Sequence, residues 1–342
     1  MQKTETHLVL METAIAEQWQ QRLQQVSPDL RFEFHPGKHV ADISEELWKN
    51  VEILHMSGGD FPTPEQAPHL RWVQLFSAGA NQVLTQPLFK SDVQFTTSSG
   101  VHSINIAEYV LTSLLAWYHR IPQLLELQKK SEWLPQEDFG RTSMPEELHG
   151  KTIGIIGYGS IGREVGRLAK AFDMRILATQ QSSDHHDHGF MLPGIGDPDG
   201  TLPERYYKME QLHELLKECD VVVLAVPLTP QTRNLFDADA FNAMKESAFL
   251  VNIARGDVCD EDALFHALQS KRIAGAALDV FKQEPLPADS PFWQLPNVII
   301  SPHITGLTPH YQERAMLIFE ANLKRYLAGE SLYNLVDKNK GY

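Results

Sequence analysis

The stretch that decides the fold is KTIGIIGYGSIGREVGR, residues Lys151–Arg167. Its first half is a short apolar run that suits a buried parallel strand, and its second half has the pattern of a helix. Three glycines, Gly157, Gly159 and Gly162, lie in and just after the turn between these halves. This order of strand, glycine-rich turn and helix predicts a Rossmann-type unit that binds a dinucleotide.

Each glycine has its own task in such a turn. Gly157 allows the tight turn, Gly159 lets the backbone approach a pyrophosphate, and Gly162 lets the helix pack closely on the strand. A helix that begins at Ser160 would direct its free N–H groups and its positive dipole end at the anion. A glycine-rich turn that binds nothing is the alternative, and the flanking strand and helix weigh against it.

Composition limits the classes of protein that fit. The 342 residues, of which 42% are hydrophobic, suffice for two domains with separate cores. A formal net charge of -14 argues against nucleic acid or an anionic membrane as the main partner. The chain has only two cysteines, Cys219 and Cys259, and no apparent signal peptide or membrane-spanning run. We therefore expect a cytoplasmic protein whose cysteines are small buried side chains.

We call the strand, glycine-rich turn and helix of Lys151–Arg167 the fingerprint. Short apolar strands alternate with helical or turn segments both before and after it, which predicts two doubly wound parallel sheets. The predicted strands before the fingerprint are His7–Met11, Leu30–Phe34, Glu52–Met56, Trp72–Phe76 and Val93–Thr97. Those after it are Arg175–Thr179, Asp220–Val226, Ala248–Asn252, Ile273–Asp279 and Val298–Ser301.

Two long helices suggest how the domains are divided. The first, predicted at Ser103–Arg120, is a candidate bridge between the domains. The second, predicted at Pro309–Ala328, is long enough to return and pack on the first domain. We therefore expect a discontinuous substrate domain, residues 1–101 and 305–342, and a nucleotide-binding domain at residues 102–304.

The segment Ser182–Arg205 holds a cluster of acids and histidines. Its members are Asp184, His185, His186, Asp187 and His188. A metal site fits these residue types, but they lie too close together in sequence for several to ligate one ion from a rigid element. The favoured interpretation is a solvated surface loop, and we predict no metal.

Residues suited to chemistry follow three strands in the last third of the chain. The segments are VNIARGD (Val251–Asp257), ALDVFKQEPLP (Ala277–Pro287) and SPHITG (Ser301–Gly306). Each ends a predicted strand, and open α/β sheets bind ligands at that edge.

Within these segments, three side chains form a catalytic hypothesis. Arg255 can grip a carboxylate through two parallel charge-assisted hydrogen bonds. His303 can donate or accept a proton near neutral pH, and Glu284 beside it would fix the ring. Each residue taken singly has an equally good structural interpretation. Arg255 could form a surface salt bridge, Glu284 could be an acid at a helix start, and His303 could be an ordinary loop histidine. Their joint position at three strand ends favours hydride transfer beside a nicotinamide cofactor.

Ordered motifs along nearly the whole chain resemble those of the D-isomer-specific 2-hydroxyacid dehydrogenase family, including its glyoxylate/hydroxypyruvate reductase-like members. The motifs are WVQLFSAGANQVL, SSGVHSINIAEYVL, GYGSIG, VPLTPQTRNLF, VNIARGDVCDEDAL, GAALDVFKQEPLP, SPHITG and NLVDKNKGY. The resemblance implies a flavodoxin-like substrate domain, a Rossmann nucleotide-binding domain and an active site in the cleft. It also implies a homodimer formed through the nucleotide-binding domain.

By the same resemblance, Arg255 orients the substrate, His303 is the acid/base and Glu284 is its relay partner. The implied substrate-binding backbone is that of Ser77, Ala78, Gly79 and Ala80. The implied cofactor-binding residues, with Asp279 at the nicotinamide carboxamide, are Gly157, Gly159, Ser160, Ile161, Gly162, Gln180, Val226, Pro227, Thr232, Ile253, Ala254 and Asp279.

Comparison with members of this family that have other substrates narrows the implied reaction. It is the reversible transfer of a hydride between NAD(P)H and a 2-keto acid, which gives a D-2-hydroxy acid. Relatives that oxidise formate carry glutamine where Glu284 stands, and phosphoglycerate-oxidising relatives often add a regulatory domain, which we do not expect here. Glyoxylate, hydroxypyruvate and larger 2-keto acids remain open as substrates. His55–Gly58 and Leu307–Tyr311 are candidates for the pocket lining. The alternative function is a cofactor-sensing, co-repressor-like interaction protein on the same fold.

Coenzyme choice is predicted from the strand that follows the fingerprint helix. NAD-specific members place an aspartate at its end, where it binds the adenosine ribose and repels a 2′-phosphate. Here the strand ends in ATQQSS, so that Gln180 stands where an acid would be. We therefore predict that NADPH is used at least as well as NADH. In the alternative interpretation, Gln180 only bonds the ribose of NAD.

Overall fold

The structure, a computed structural model, describes residues 6–138 and 144–338. The described chain forms two compact units. The first contains the described residues up to His102, together with His188–Phe190 and those from Thr308 onward. The second contains the described residues of Ser103–Asp187 and Met191–Leu307. The last residues of the predicted NLVDKNKGY motif, 339–342, and the ends of the predicted substrate domain lie outside the described residues.

The first unit is built on a five-stranded parallel sheet with the order β2-β1-β3-β4-β5. Its strands are β1 (His7–Met11), β2 (Leu30–Phe34), β3 (Ile53–Met56), β4 (Trp72–Leu75) and β5 (Gln94–Thr96). This is the strand order of flavodoxin-like folds.

The second unit has a seven-stranded parallel sheet with the order β12-β11-β10-β9-β6-β7-β8. Its strands are β6 (Thr152–Ile156), β7 (Arg175–Thr179), β8 (Arg205–Tyr207), β9 (Val221–Leu224), β10 (Phe249–Asn252), β11 (Gly275–Leu278) and β12 (Val298–Ile300). The order reverses direction between β6 and β9, which is the switch point where doubly wound sheets bind nucleotides.

Helices cover both faces of each sheet. They are α1 (Glu17–Gln24), α2 (Glu45–Trp48), α3 (Ser103–Tyr118), α4 (Ile121–Lys130), α5 (Ser160–Ala171), α6 (Leu212–Glu218), α7 (Ala238–Ala243), α8 (Glu261–Gln269) and α9 (Tyr311–Leu327). In the first unit, α1 and α9 pack on one face of the sheet and α2 on the other. In the second unit, α3 and α5 cover one face, while α6, α7 and α8 cover the other.

The predicted fold class, two doubly wound parallel sheets, is confirmed. Every predicted strand is present, although several are shorter at one or both ends. The strand β8 (Arg205–Tyr207) was missed because it has only three residues and begins at the last residue of the segment interpreted as a loop. No helix among the described residues is long and apolar enough to cross a membrane.

Candidate active site

The turn after β6 brings backbone segments close together at two of its glycines. Gly157 has a φ of +97°, and a Cβ on it would lie 2.8 Å from the Ala225 carbonyl oxygen and 2.9 Å from Val226 Cγ1. A Cβ on Gly162 would lie 2.9 Å from Ile155 Cγ2 and would also overlap the Gly157 carbonyl. Larger residues therefore do not fit at these two positions without a shift of the surrounding backbone.

Gly159 differs because the space beside it is open. It is the N-cap of α5, and no atom outside its chain neighbours lies within 4 Å of the position that a Cβ would take. The N–H groups in the first turn of a helix have no acceptor within the helix. The open space and these donors together fit the pyrophosphate of a dinucleotide.

At the end of β7, the Thr179 side chain bonds the glycine-rich turn, whereas the Gln180 side chain bonds the segment that follows the strand. The buried Thr179 hydroxyl accepts a hydrogen bond of 3.0 Å from the Gly157 N–H. Gln180 donates from its amide nitrogen to the Asp184 carbonyl, at 3.0 Å, and its amide oxygen accepts from His185 Nδ1, at 3.0 Å. Gln180 is thus the polar side chain at the strand end where an acid would select NAD.

The remaining cofactor-binding candidates follow β9 and β10. Thr232 donates its hydroxyl to the Pro227 carbonyl at 2.6 Å and accepts from the Thr229 N–H at 2.8 Å, which fixes the turn after β9. Ile253 and Ala254 are buried directly after β10. All the predicted cofactor-binding residues lie in the second unit, at or near the carboxyl ends of its strands. Their contact with a cofactor stays a prediction.

The predicted histidine and glutamate are in direct contact. His303 Nδ1 lies 2.6 Å from Glu284 Oε2, and the second carboxylate oxygen of Glu284 accepts from the Phe281 N–H at 3.0 Å. The two side chains are 46% and 36% exposed. The pair is therefore held in one geometry while it stays open to solvent.

The surroundings of Glu284 change its acidity in two opposing ways. Partial burial pushes the pKa of its carboxyl upward. The hydrogen bonds from His303 and the Phe281 N–H, with the charges of His303 and Arg255, push it down and prevail. The pKa of Glu284 is consequently below its ordinary value, so the carboxylate form is favoured.

Asp279 holds the loop that carries His303. Its buried carboxylate accepts hydrogen bonds from the Ser301 hydroxyl, the Ile304 N–H at 3.1 Å, and the Thr305 N–H and hydroxyl at 3.2 and 2.6 Å. Its backbone carbonyl accepts from the His303 N–H at 2.9 Å. His303 itself has a left-handed φ of +53°. The loop thus fixes the strained backbone of His303, a role of Asp279 in addition to its predicted cofactor contact.

A tyrosine that the sequence interpretation missed extends this network. Tyr109 on α3 has its hydroxyl 2.8 Å from the Ser301 hydroxyl, which in turn donates to Asp279. Burial raises the pKa of Tyr109, so it stays a neutral donor. The residues are 192 positions apart, and no local sequence signal links them.

Arg255 begins the turn after β10 and is exposed. Its guanidinium donates to the Ala254 carbonyl at 2.6 Å. The buried Asn252 supports the turn, because its side chain accepts from the Ala254 N–H and donates to the Arg255 carbonyl. With Glu284 and His303, the structure brings Arg255 to the edge formed by the carboxyl ends of β10, β11 and β12.

The predicted substrate-binding segment, Ser77–Ala80, lies in the first unit directly after β4. The Ser77 hydroxyl donates to the Gly79 carbonyl at 2.8 Å, and the Ser77 carbonyl accepts from the Ser98 N–H at 2.9 Å. These bonds give the segment a defined backbone. Its binding of substrate stays a prediction.

The prediction that His55 lines a substrate pocket is wrong for its side chain. His55 is fully buried within the first unit, with its ring 4.7 Å from that of Phe319 and its Nδ1 3.0 Å from the Thr13 hydroxyl. Burial lowers the pKa of His55 to about 3. It is a neutral core residue because the side chain at this position of β3 points into the packing under α9.

The interpretation of Ser182–Arg205 as a simple solvated loop also needs correction. Its Asp197 is buried and bound to the fingerprint residue Tyr158, and the segment ends in β8. Within residues 6–138 and 144–338, no group of three or more histidine, cysteine or acidic side chains is arranged to hold a metal ion.

The chain is similar to known proteins over most of its length. The family model described as D-isomer specific 2-hydroxyacid dehydrogenase, NAD binding domain, matches residues 111–305. A glyoxylate reductase of Thermofilum pendens is 32% identical over 311 residues, which cover 89% of this chain and 87% of that protein. One from Thermococcus gammatolerans is 36% identical over 276 residues, with coverages of 80% and 78%.

Among solved structures, the D-isomer specific 2-hydroxyacid dehydrogenase from Xanthobacter autotrophicus Py2, in complex with NADPH and MES, is similar over 99% of this chain and 100% of that one. The TM-score is 0.76 and the sequence identity is 27%.

These matches agree with a site in which a carboxylate-paired imidazole, an arginine and a glycine-rich turn follow strands of the same parallel sheet. The protein is an oxidoreductase that uses a nicotinamide cofactor to interconvert 2-keto acids and D-2-hydroxy acids. The comparisons give no support to the co-repressor-like alternative. By its motifs, its two sheets and these similarities, the chain belongs to the D-isomer-specific 2-hydroxyacid dehydrogenase family.

Proposed function

We propose that this enzyme reduces a small 2-keto acid of the glyoxylate and hydroxypyruvate class, with Arg255, Glu284 and His303 as its catalytic residues. The observation that carries the proposal is the 2.6 Å hydrogen bond between His303 and Glu284 at the sheet edge that also holds Arg255. The similarity to glyoxylate reductases supports the small substrate.

Each residue has one task in the reaction. When bound, the nicotinamide supplies the hydride that the keto carbon accepts. Arg255 holds the substrate carboxylate and keto oxygen through charge-assisted hydrogen bonds. His303, with Nδ1 committed to Glu284, donates the matching proton from Nε2 to the keto oxygen. Hydride and proton together give the hydroxyl group, and His303 regains its proton from water.

Two further assignments concern binding. We propose that backbone N–H groups of Ser77–Ala80 bind the substrate carboxylate, since this short segment has a defined backbone. We also propose that the glycine turn at Gly157–Gly162 binds the pyrophosphate, with the open space at Gly159 as its point of approach.

A steady-state assay tests the function. Glyoxylate, hydroxypyruvate, pyruvate and a bulkier 2-keto acid are each offered with NADPH and with NADH. We expect turnover that is fastest with glyoxylate or hydroxypyruvate. Turnover only with the bulky substrate would contradict the substrate class, and no turnover with any of them would contradict the proposal as a whole.

The coenzyme preference follows from Gln180, which leaves no acid at the end of β7 to repel a 2′-phosphate. We propose that NADPH is used at least as well as NADH. Replacing Gln180 with Asp should shift the ratio of the two kcat/KM values towards NADH by roughly tenfold or more, because like charges repel. Strong NADH selectivity of the unmodified enzyme would contradict the proposal.

We propose that the enzyme is a homodimer formed through the nucleotide-binding domain. The helix α4 has no buried residue, and Ile121, Leu124 and Leu125 on one of its faces are 41%, 44% and 49% exposed. The nearby Trp133 is 91% exposed. Exposed apolar side chains on one face of a helix are typical of an interaction site, and a second copy of the chain presents the same face.

We also assign the enzyme to the cytoplasm. Both cysteines, Cys219 and Cys259, are free and buried, and burial raises the pKa of each thiol. Reduced, unreactive thiols suit a reducing compartment.

A further inference from the structure

The segment between β7 and β8 is fastened to the helix of the dinucleotide fingerprint. Arg163, on α5, is only 2% exposed. Its guanidinium donates to the His185 carbonyl at 2.7 Å and to the Asp197 carbonyl, and its Nε lies 3.3 Å from the Asp187 carboxylate. One buried cation thus binds three positions of the segment.

A second attachment comes from the fingerprint turn itself. The Tyr158 hydroxyl donates to the Asp197 carboxylate at 2.9 Å, and the same carboxylate accepts from the Thr201 N–H at 3.1 Å. Gly200 has a φ of +65°, and a Cβ there would overlap the His185 carbonyl. The segment therefore has a fixed position relative to the turn that precedes α5.

These attachments place the His185 ring beside Gln180. The ring stacks on Tyr206 with 3.7 Å between centroids and 7° between planes. Because the Gln180 nitrogen donates to the Asp184 carbonyl, its oxygen is the atom that faces His185 Nδ1, 3.0 Å away. Nδ1 must therefore carry a hydrogen. The other ring nitrogen, Nε2, also carries one and can donate when the ring is an imidazolium.

The two acids closest to His185 in sequence each have a partner of their own. Asp184 lies 3.1 Å from His186 Nδ1, and Asp187 lies 3.3 Å from the Arg163 guanidinium. The Arg163 guanidinium offsets the charge of Asp187, and one Asp184 carboxylate oxygen accepts from the His186 N–H. An anion that approaches Gln180 meets an imidazole whose acidic neighbours already have partners.

We propose that His185 binds the 2′-phosphate of NADPH, in place of an arginine after the strand. The inference rests on the proposed coenzyme choice and names the residue responsible for it. Gln180 stands about 20 residues after the fingerprint, at the position that contacts the adenosine ribose in dinucleotide-binding folds. The Tyr206 stack and the Gln180 hydrogen bond hold the ring in place before the phosphate arrives, which lowers the entropic cost of binding.

Calorimetric titration with 2′,5′-ADP and with 5′-AMP tests the proposal without catalysis, because the two probes differ only in the 2′-phosphate. The unmodified enzyme should bind 2′,5′-ADP more tightly. His185→Ala should lower the ratio of the two affinities about tenfold, the loss expected for one charge-assisted hydrogen bond. His185→Phe keeps an aromatic ring against Tyr206 and should show the same loss. His149→Ala, which removes an exposed imidazole before the amino end of β6, should keep the original ratio.

The outcomes separate this inference from the coenzyme proposal. If the unmodified enzyme prefers 2′,5′-ADP and both His185 variants keep that preference, His185 does not bind the phosphate, although the coenzyme proposal stands. Normal preference in His185→Phe with loss in His185→Ala would mean that the ring only packs, which also overturns the inference. If the unmodified enzyme does not distinguish the probes, the coenzyme choice fails and the role of His185 fails with it.

Discussion

His303 and Glu284 form a pair whose charge state depends on pH. Because the pKa of Glu284 is lowered in the folded protein, its carboxylate contributes stability above the ordinary glutamate pKa. That contribution is lost as the pH falls through the lowered value. Both side chains are more than a third exposed, so solvent weakens the effect on folding. The greater consequence of the pair is for proton transfer.

Glu284→Gln should move the alkaline limb of the kcat/KM profile for keto-acid reduction to lower pH. The amide keeps the shape of the side chain but removes the negative charge that favours the proton on the neighbouring imidazole. The profile is measured for the unmodified enzyme, for this variant and for Glu261→Gln as a control. Glu261 accepts from the Lys282 N–H and, in the part of the chain that the structure describes, bonds no histidine, so the profile of this control should stay unchanged. An unmoved alkaline limb in Glu284→Gln would refute the pairing.

The sequence predicts the reactive side chains better than it predicts the residues whose hydrogen bonds hold the surrounding loops in place. Glu284 and His303 were paired from motifs after strands, and the structure brings them into contact. Tyr109 and Arg163 were missed, since their partners are distant in the chain and polar residues on helices have many solvated alternatives. Only the folded arrangement shows which of them are buried.

In the unit formed by β6, its turn and α5, Gly162 serves close packing, whereas Gly159 leaves open space beside the turn. Gly162→Ala should lower the free energy of unfolding by about 1–3 kcal/mol, because the new methyl group meets Ile155 and the Gly157 carbonyl. Gly159→Ala should change the free energy of unfolding by less than about 0.5 kcal/mol, since nothing lies within 4 Å of its Cβ position. It should nevertheless weaken NADPH binding about tenfold or more, because the methyl group fills the space proposed for the pyrophosphate.

Denaturant unfolding and fluorescence titration with NADPH measure the two quantities. Equal losses of stability in both variants would contradict the structural part of this prediction. Undiminished NADPH affinity in Gly159→Ala would contradict the proposed position of the pyrophosphate.

Strands and helices were predictable where the hydrophobic pattern is long and uninterrupted. The five residues of β7 have the predicted bounds, whereas β8 has only three residues and no apolar run. His55 shows the limit of the same reasoning inside a strand. His55 begins a segment that was a candidate for the pocket lining, but aromatic packing against Phe319 accommodates it as a neutral core side chain.

For the assembled enzyme, the exposed apolar face of α4 leads to a prediction about oligomeric state. Leu124→Glu should convert the proposed homodimer to a monomer, because a desolvated carboxylate without a partner opposes association. Gln123→Glu introduces the same charge on the opposite side of the helix and should leave the dimer intact. Sedimentation velocity measures the mass of each variant. A dimeric Leu124→Glu variant would show that this face is not the interface.

The architecture of the molecule followed from the order of its strands and helices, because parallel strands joined by helices have few permitted arrangements. The order of strands and helices did not predict that His188–Phe190 belongs to the first unit. It depends on contacts such as the 3.1 Å bond from the Phe190 N–H to the Asn334 side chain, which join distant parts of the sequence.

Replacement of His303 by Asn tests the catalytic account most directly. Asparagine tolerates the left-handed backbone at φ +53°, so the variant should fold, but it cannot deliver the proton. We predict that kcat/KM for glyoxylate falls by about 100-fold or more, the range for loss of a general acid, while the Kd of NADPH stays unchanged. A variant that binds NADPH normally and retains the kcat/KM of the unmodified enzyme would contradict the assignment of His303 as the acid/base.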